Sequence, residues 1–91
     1  MSFMQDVIRT QIELGEALRA QRKAEHLRAT AVAQRAGVSR DVLHRMEKGG
    51  DVTVSSLMAV LSAMGYVLRI EKQGLPTLEE MRQRFALDED D

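Results

Sequence analysis

Residue types that could carry out catalysis or bind a metal are few in this 91-residue sequence, and they do not converge. The chain has no cysteine, and its two histidines, His26 and His44, are 18 residues apart, so a metal site is not expected. The adjacent Glu79 and Glu80 would point to different faces of a helix. No glycine-rich phosphate loop follows a strand. The sequence therefore predicts a protein that is not an enzyme and uses no cofactor.

Positively charged side chains, in contrast, are concentrated in one half of the chain. The formal net charge is only −1, but residues 9–48 carry nine Lys and Arg against five Asp and Glu, whereas residues 49–91 carry four against eight. Such a division favours a polyanion, such as nucleic acid, as the partner of the basic half. The alternative is that solvated helix faces simply differ in sign.

The length allows one domain with one core. Aromatic residues make up only 3% of the chain, so Leu, Val, Ile, Ala and six Met must form that core. No apolar run approaches the roughly 18 residues that a membrane span needs, and the first residues lack the apolar core of a signal peptide. We therefore expect a cytoplasmic location.

Apolar residues at three- and four-residue spacing predict four helices, over about residues 10–25, 29–36, 40–48 and 54–64. Gly37 and Gly65 suit the left-handed position after the second and fourth helices. Ser39 and Thr53 suit the N-caps of the third and fourth. The residues predicted to form the apolar stripe of the first helix include Ile12, Leu14 and Leu18. Those of the fourth are Val54, Leu57, Met58, Leu61 and Met64.

After Gly65 the pattern changes to the two-residue alternation of a half-buried strand. The predicted strand consists of Tyr66, Val67, Leu68, Arg69 and Ile70. A single strand needs an edge to pair with, and the economical partner is the same strand of a second subunit across a two-fold axis. The alternative is that this segment packs, extended, on the helices. A last helix is predicted from Thr77 to Phe85, before an acidic tail.

Residues 27–49, LRATAVAQRAGVSRDVLHRMEKG, order their small, turn-forming and capping residues in a specific way. Ala33 is small where two helices must approach closely, and Gly37 permits a sharp turn. The residues that would anchor the third helix are Val38, Leu43 and Met46. Together with its flanks from Leu14 to Gly65, this segment resembles the Cro and phage-repressor family of helix-turn-helix proteins, the xenobiotic-response-element type.

The resemblance implies a mainly α, lambda-repressor-like bundle of four to five helices. To this the alternation adds one C-terminal β-strand, which we expect to pair across a dimer. It also implies that the third helix enters the major groove of DNA. The expected base contacts are Arg40, Asp41, His44 and Arg45. An arginine can bind guanine O6 and N7 with both arms, and an aspartate can accept from a cytosine amine.

The surrounding positions are the ones expected to contact DNA phosphates, through side chains or through helix N-termini. They are Arg28, Ala29, Thr30, Ser39, Lys48, Gly50, Thr53 and Ser55. Family members form an ion pair between the first and third helices at the positions of Arg22 and Glu47. The resemblance therefore implies a structural role for these two residues.

Two positions depart from the family pattern. Members usually have Thr-Gln after the leucine, and the Gln touches a phosphate and the first base contact, whereas this chain has Arg28-Ala29. Ala29 offers only a backbone N–H there, so Arg28 would have to replace that contact electrostatically. His26 stands where glycine is frequent, and histidine tolerates the left-handed region better than most residues.

We therefore expect a homodimeric, sequence-specific regulator of transcription, most simply a repressor, that binds double-stranded DNA. Its predicted parts are an N-terminal extension (residues 1–13), a DNA-binding domain (14–65) and a segment for dimerisation or partner binding (66–91). One alternative is the antitoxin of a toxin–antitoxin pair, which autoregulates its operon and binds a toxin through its C-terminal part. Another is a helix-turn-helix fold that binds only proteins and no DNA.

Overall fold

A computed structural model describes residues 7–72 and Arg82, and the first of these ranges contains four helices. They are α1 (Gln11–Ala24), α2 (Ala29–Ala36), α3 (Arg40–Glu47) and α4 (Val54–Met64). The predicted bounds of the second and fourth helices are confirmed to the residue, and those of the other two within one residue. In the described part of the chain, no helix is both long and apolar enough to cross a membrane.

Side chains cap three of these helices at their N-termini. Thr10 and Glu13 form a reciprocal capping box at α1. The N–H of Val42 donates to Ser39 Oγ over 3.0 Å at α3, and Thr53 caps α4 in the same way. The predicted caps of α3 and α4 are thereby confirmed, and they fix where each helix begins.

The core is formed by buried residues from all four helices. α2 packs against α3 and α4, and α1 packs against α3. Ala33 is buried where α2 meets its neighbours, and Gly37 ends α2 with a φ of 76°, so the small residue and the turn glycine occupy the predicted places. The buried core residues are Leu18, Val32, Ala33, Leu43, Met46, Val60, Leu61 and Met64.

Gly15 lies where the backbone of α1 comes close to that of α3. A Cβ added to it would lie 2.6 Å from the carbonyl oxygens of both Met46 and Glu47. Those atoms belong to the backbone of α3 and its end, so they cannot move aside as a flexible side chain would. Glycine is therefore required at this crossing, although it weakens the interior of a helix.

The stripe predicted for α4 is partly wrong. Leu61 and Met64 are buried as expected, but Val54 and Met58 are 72% and 44% exposed, and Val60 is fully buried instead. The reason is that Leu57, Val60, Leu61 and Met64 also follow the three- and four-residue spacing. The helix is apolar on two overlapping stripes, and periodicity does not say which one faces the core. Ile12, on the stripe predicted for α1, is likewise exposed.

Residues 66–70, where the alternation predicts a strand, have no regular secondary structure in the single chain, and neither do residues 71 and 72. The segment is nevertheless tied to the helices at its start. The N–H of Tyr66 donates to the carbonyl of Leu61 over 2.8 Å, and its hydroxyl donates to the carboxylate of Glu25. This hydrogen bond raises the pKa of Tyr66. The predicted helix from Thr77 lies, apart from Arg82, outside the described residues.

Candidate nucleic-acid interface

α3 has one buried face and one exposed face. Leu43 is 1% exposed, and Met46 is buried with it against the core. The opposite side of α3 and its C-cap carries the charged and polar residues that were predicted from the sequence to contact bases or phosphates. All of them are exposed: Arg40, Asp41, His44, Arg45 and Lys48. Burial of the apolar face fixes the helix, so these side chains project from a rigid support.

The exposed face of α3 has two flanks. On one flank, the stem of Arg45 lies over the turn between α3 and α4, because a Cβ at Gly50 would be 2.7 Å from Cγ of Arg45. The N–H of Gly50 also donates to the carbonyl of Arg45 over 2.8 Å. The other flank, which carries Arg40 and His44, faces α1. The predicted base-contact residues thus lie on one face of α3, but Arg45 lies beside the turn to α4, whereas Arg40 and His44 lie on the side of α1.

An open groove of about 710 Å³ runs between α1 and α3, with Ala29 of α2 among its lining residues. It carries the exposed cationic side chains Arg40 and Lys48 from α3 and its C-cap, together with Arg19 and Lys23 from α1. No DNA contact was predicted from the sequence for the two α1 residues. Their four-residue spacing indicates that they share one face of a helix, but it does not show which element that face meets. We call this surface the α1–α3 groove.

Arg22, which is partly buried, and the buried Glu47 form an ion pair at the base of this groove. Arg22 Nε lies 2.6 Å from Glu47 Oε2, and Nη2 donates to Oε1 over 3.0 Å. The remaining Nη1 donates to the carbonyl of Leu27 over 3.0 Å. The side chains are 12% and 5% exposed, respectively. The hydrogen bond to Glu47 raises the pKa of Arg22, so this guanidinium stays charged and is neutralised inside the protein.

The N-terminus of α2 differs from those of the other three described helices. Its N-cap residue, Arg28, makes no side-chain capping hydrogen bond, whereas a hydroxyl caps each of the other three. As in α4, the first turn contains no acidic residue. The first backbone N–H groups of a helix lack partners within it and carry the positive end of its dipole. A cation at this end adds to the positive potential, an arrangement that favours an anion beside Ala29 and Thr30.

The other predicted phosphate contacts lie around the turn between α3 and α4. The hydroxyl of Thr53, besides capping α4, donates to Ser56 Oγ over 2.8 Å and lies 3.1 Å from Ser55 Oγ. Thr53 therefore both donates and accepts within the protein, whereas Ser39 Oγ accepts from Val42 and can still donate its O–H. Gly50 and Ser55 lie in the same region, next to the Arg45 flank of α3.

The two histidines lie in different environments. His26, in the turn between α1 and α2, has a φ of 59° and adopts the left-handed conformation that its position was expected to require. His44 projects from the exposed face of α3. In residues 7–72 and at Arg82, no group of three or more His, Asp or Glu side chains could hold a metal ion.

Together, α2, the turn at Gly37 and the outward-facing α3 form a helix-turn-helix. In DNA-binding proteins of this class, the second helix of the motif, here α3, is the one presented to DNA. The chain belongs to the helix-turn-helix domain family, which matches residues 13–69. This membership confirms the resemblance inferred from the sequence. No curated protein matches the chain.

Proposed function

We propose that this protein is a sequence-specific DNA-binding regulator, most simply a repressor, and that it acts as a homodimer. The observation that carries the proposal is the exposed, charged face of α3 on a buried apolar base. Membership of the helix-turn-helix family supports binding to DNA. The protein then works in the compartment that contains the DNA, with α3 in the major groove and no need for a cofactor.

In this proposal Arg40 and Arg45 contact bases, because a guanidinium can bind both acceptors of guanine in the major groove. Asp41 accepts from a cytosine amine, and His44 donates to a base or a phosphate. Phosphates are bound by Lys48 and by the uncapped start of α2. The remaining contacts come from the Ser39 hydroxyl, which can still donate its O–H, and from backbone N–H groups at the starts of α3 and α4.

The segment after α4 supports a dimer. Val67 and Ile70 are 88% and 91% exposed, and Leu68 is also exposed. Within residues 7–72, no backbone hydrogen bond involves residues 67–72. Antiparallel pairing with the same segment of a second copy would satisfy these peptide groups and cover the apolar side chains. A two-fold dimer then presents its α3 helices to half-sites about 34 Å apart, one turn of DNA.

The decisive experiment combines Arg40→Ala with Arg45→Ala. Binding to a duplex selected from a random pool, and to an unselected duplex, is measured by fluorescence anisotropy across a salt series. Each lost two-armed contact costs about 1–3 kcal/mol of discrimination, so the variant should lose about 2–6 kcal/mol of its preference for the selected duplex while circular dichroism shows an intact fold. The control, Arg35→Ala, removes a positive charge from outside the proposed DNA and dimer interfaces.

Two outcomes would contradict the proposal. Retention of the wild-type preference by the double variant would show that α3 does not contact the bases. Absence of any salt-dependent binding by the wild-type protein would favour the alternative of a fold that binds only proteins, because phosphate neutralisation always produces a salt dependence.

A second candidate function is that of an antitoxin. It is favoured by the composition of residues 73–91, which contain six Asp and Glu against two Arg and would suit a basic partner. Such a protein would autoregulate its operon through α3 and bind a toxin through its C-terminal part. Copurification with the product of the adjacent gene tests this function, and a stable dimer beside a gene whose product is harmless would refute it.

A further inference from the structure

α1 contributes two cationic side chains to the α1–α3 groove. Arg19 and Lys23 are four residues apart, so they share one face of the helix, and both are exposed. Within the described chain, neither forms an ion pair or a side-chain hydrogen bond. Their neighbour Arg22 differs, because Glu47 neutralises it. Two positive charges of α1 are therefore unpaired on the side that faces the proposed recognition helix.

The groove has an excess of positive charge. Apart from the neutralised Arg22–Glu47 pair, its lining holds four Lys and Arg residues against two acidic ones, Glu16 and Asp41, with His44 also present. Low-dielectric walls of a cleft concentrate such a field and attract an anion. Ala29 reaches into the groove with only a methyl group, so α2 leaves room for this anion.

The shape of the groove favours one kind of anion. It is open and runs between two helices rather than enclosing a cavity. Its α3 wall carries Arg40 and His44, which the proposed function places at the bases. A duplex whose bases meet that wall brings its sugar–phosphate backbone to the opposite wall, where α1 lies.

We propose that Arg19 and Lys23 bind backbone phosphates of the DNA whose bases α3 contacts, so that α1 forms one wall of the DNA interface. This inference rests on the proposed function and extends it to a helix outside the helix-turn-helix unit. The two residues contribute affinity and orientation but no sequence preference, because phosphates are the same at every base pair.

The test is the double variant Arg19→Gln with Lys23→Gln, compared with wild type on a selected and an unselected duplex. Each lost phosphate contact lowers the slope of log affinity against log salt by about 0.9, hence by about 1.8 per protomer bound. Between about 50 and 200 mM salt, wild type should then lose roughly 12-fold more affinity per protomer than the variant does. The ratio of affinities for the two duplexes should not change.

Two further variants isolate the role of charge at these positions. Arg35→Gln removes a cation outside both the groove and the proposed dimer segment, and should leave the slope within about 0.5 of wild type. Arg19→Lys with Lys23→Arg exchanges the cations and should retain the wild-type slope. Thermal unfolding of each variant identifies any loss that arises from a weakened α1, whose last turn contains Lys23.

A wild-type slope in the Gln variant, or a loss equal to that of the control, would overturn this inference while leaving α3 as the DNA-binding element. Loss of sequence preference in the Gln variant would also overturn it, because phosphate contacts carry none. Failure of wild type itself to bind DNA would instead refute the proposed function. The two failures are therefore distinguishable.

Discussion

The Arg22–Glu47 pair allows a quantitative test of what holds α1 against α3. Replacing Arg22 with Met keeps a long unbranched side chain but removes the charge and three donors. Glu47, which is 5% exposed, then remains as a buried carboxylate without its partner. The carbonyl of Leu27 also loses the donor that lies 3.0 Å away.

Removing one member of a buried ion pair costs about 3–5 kcal/mol, because the other charge stays desolvated. A domain of this size has a free energy of unfolding of roughly 5–14 kcal/mol. The single substitution should therefore lower the melting temperature by at least about 12 °C. Replacing both residues, Arg22→Met with Glu47→Met, removes the unpaired charge. It should leave a deficit of only about 1–3 kcal/mol, from the Leu27 carbonyl.

The assay is urea unfolding followed by circular dichroism, at one protomer concentration because the proposed dimer makes stability concentration-dependent. The four proteins of the double-mutant cycle are wild type, both single variants and the double variant. Arg35→Met is the control, because the exposed Arg35 has only a 3.4 Å hydrogen bond to the carbonyl of Ala63. It should lose less than about 1 kcal/mol.

The double variant also distinguishes a structural role of the Arg22–Glu47 pair from a role in DNA binding, because its net charge equals that of wild type. Its salt slope for DNA should therefore equal the wild-type slope. A fall of less than about 1 kcal/mol in the free energy of unfolding of Arg22→Met would show that the pair does not hold α1 against α3. A coupling energy close to zero would show the same, because the ion pair would then contribute nothing specific.

Three further predictions concern single positions. Gly15→Ala should destabilise the protein by about 1–3 kcal/mol despite the better helix propensity of Ala, because its Cβ meets two carbonyl oxygens; higher stability in urea would contradict the close approach. His26→Gly should raise the melting temperature by a few degrees, about 0.5–1 kcal/mol, because it relieves a left-handed residue. An unchanged or lower value would argue against strain there. Ile70→Lys should weaken the dimer at least about 100-fold in sedimentation equilibrium, and an unaffected dimer would place the interface elsewhere.

The helix bounds could be predicted because each is set by a local signal. Gly37 and Gly65 take left-handed conformations at the ends of α2 and α4, and Ser39 and Thr53 accept hydrogen bonds at the starts of α3 and α4. These interactions join residues two to five apart, so the sequence contains them directly. The outward face of α3 could be predicted for the same reason, since Leu43 and Met46 fix its inward side.

Features that depend on the meeting of distant elements could not be predicted. Gly15 appears in the sequence as a weak point of a helix, and only the path of α3 shows that no larger residue fits. Val54 and Val60 are the same residue type on one apolar helix, and the position of α2 decides which is buried. Arg19 and Lys23 acquire their proposed role only when α1 is placed beside α3.

The missing cap at α2 has a consequence for the balance between stability and binding. Arg28→Asp would give α2 the type of cap that the other described helices have, which contributes about 0.5–2 kcal/mol. The same change would remove a cation from the place where a phosphate is proposed to bind. In the unbound protein, the first turn of α2 is therefore less stable than it would be with a side-chain cap. In the proposed complex a phosphate would complete that turn and stabilise it only when DNA is bound. Slower amide exchange at Thr30 and Ala31 should therefore accompany DNA binding.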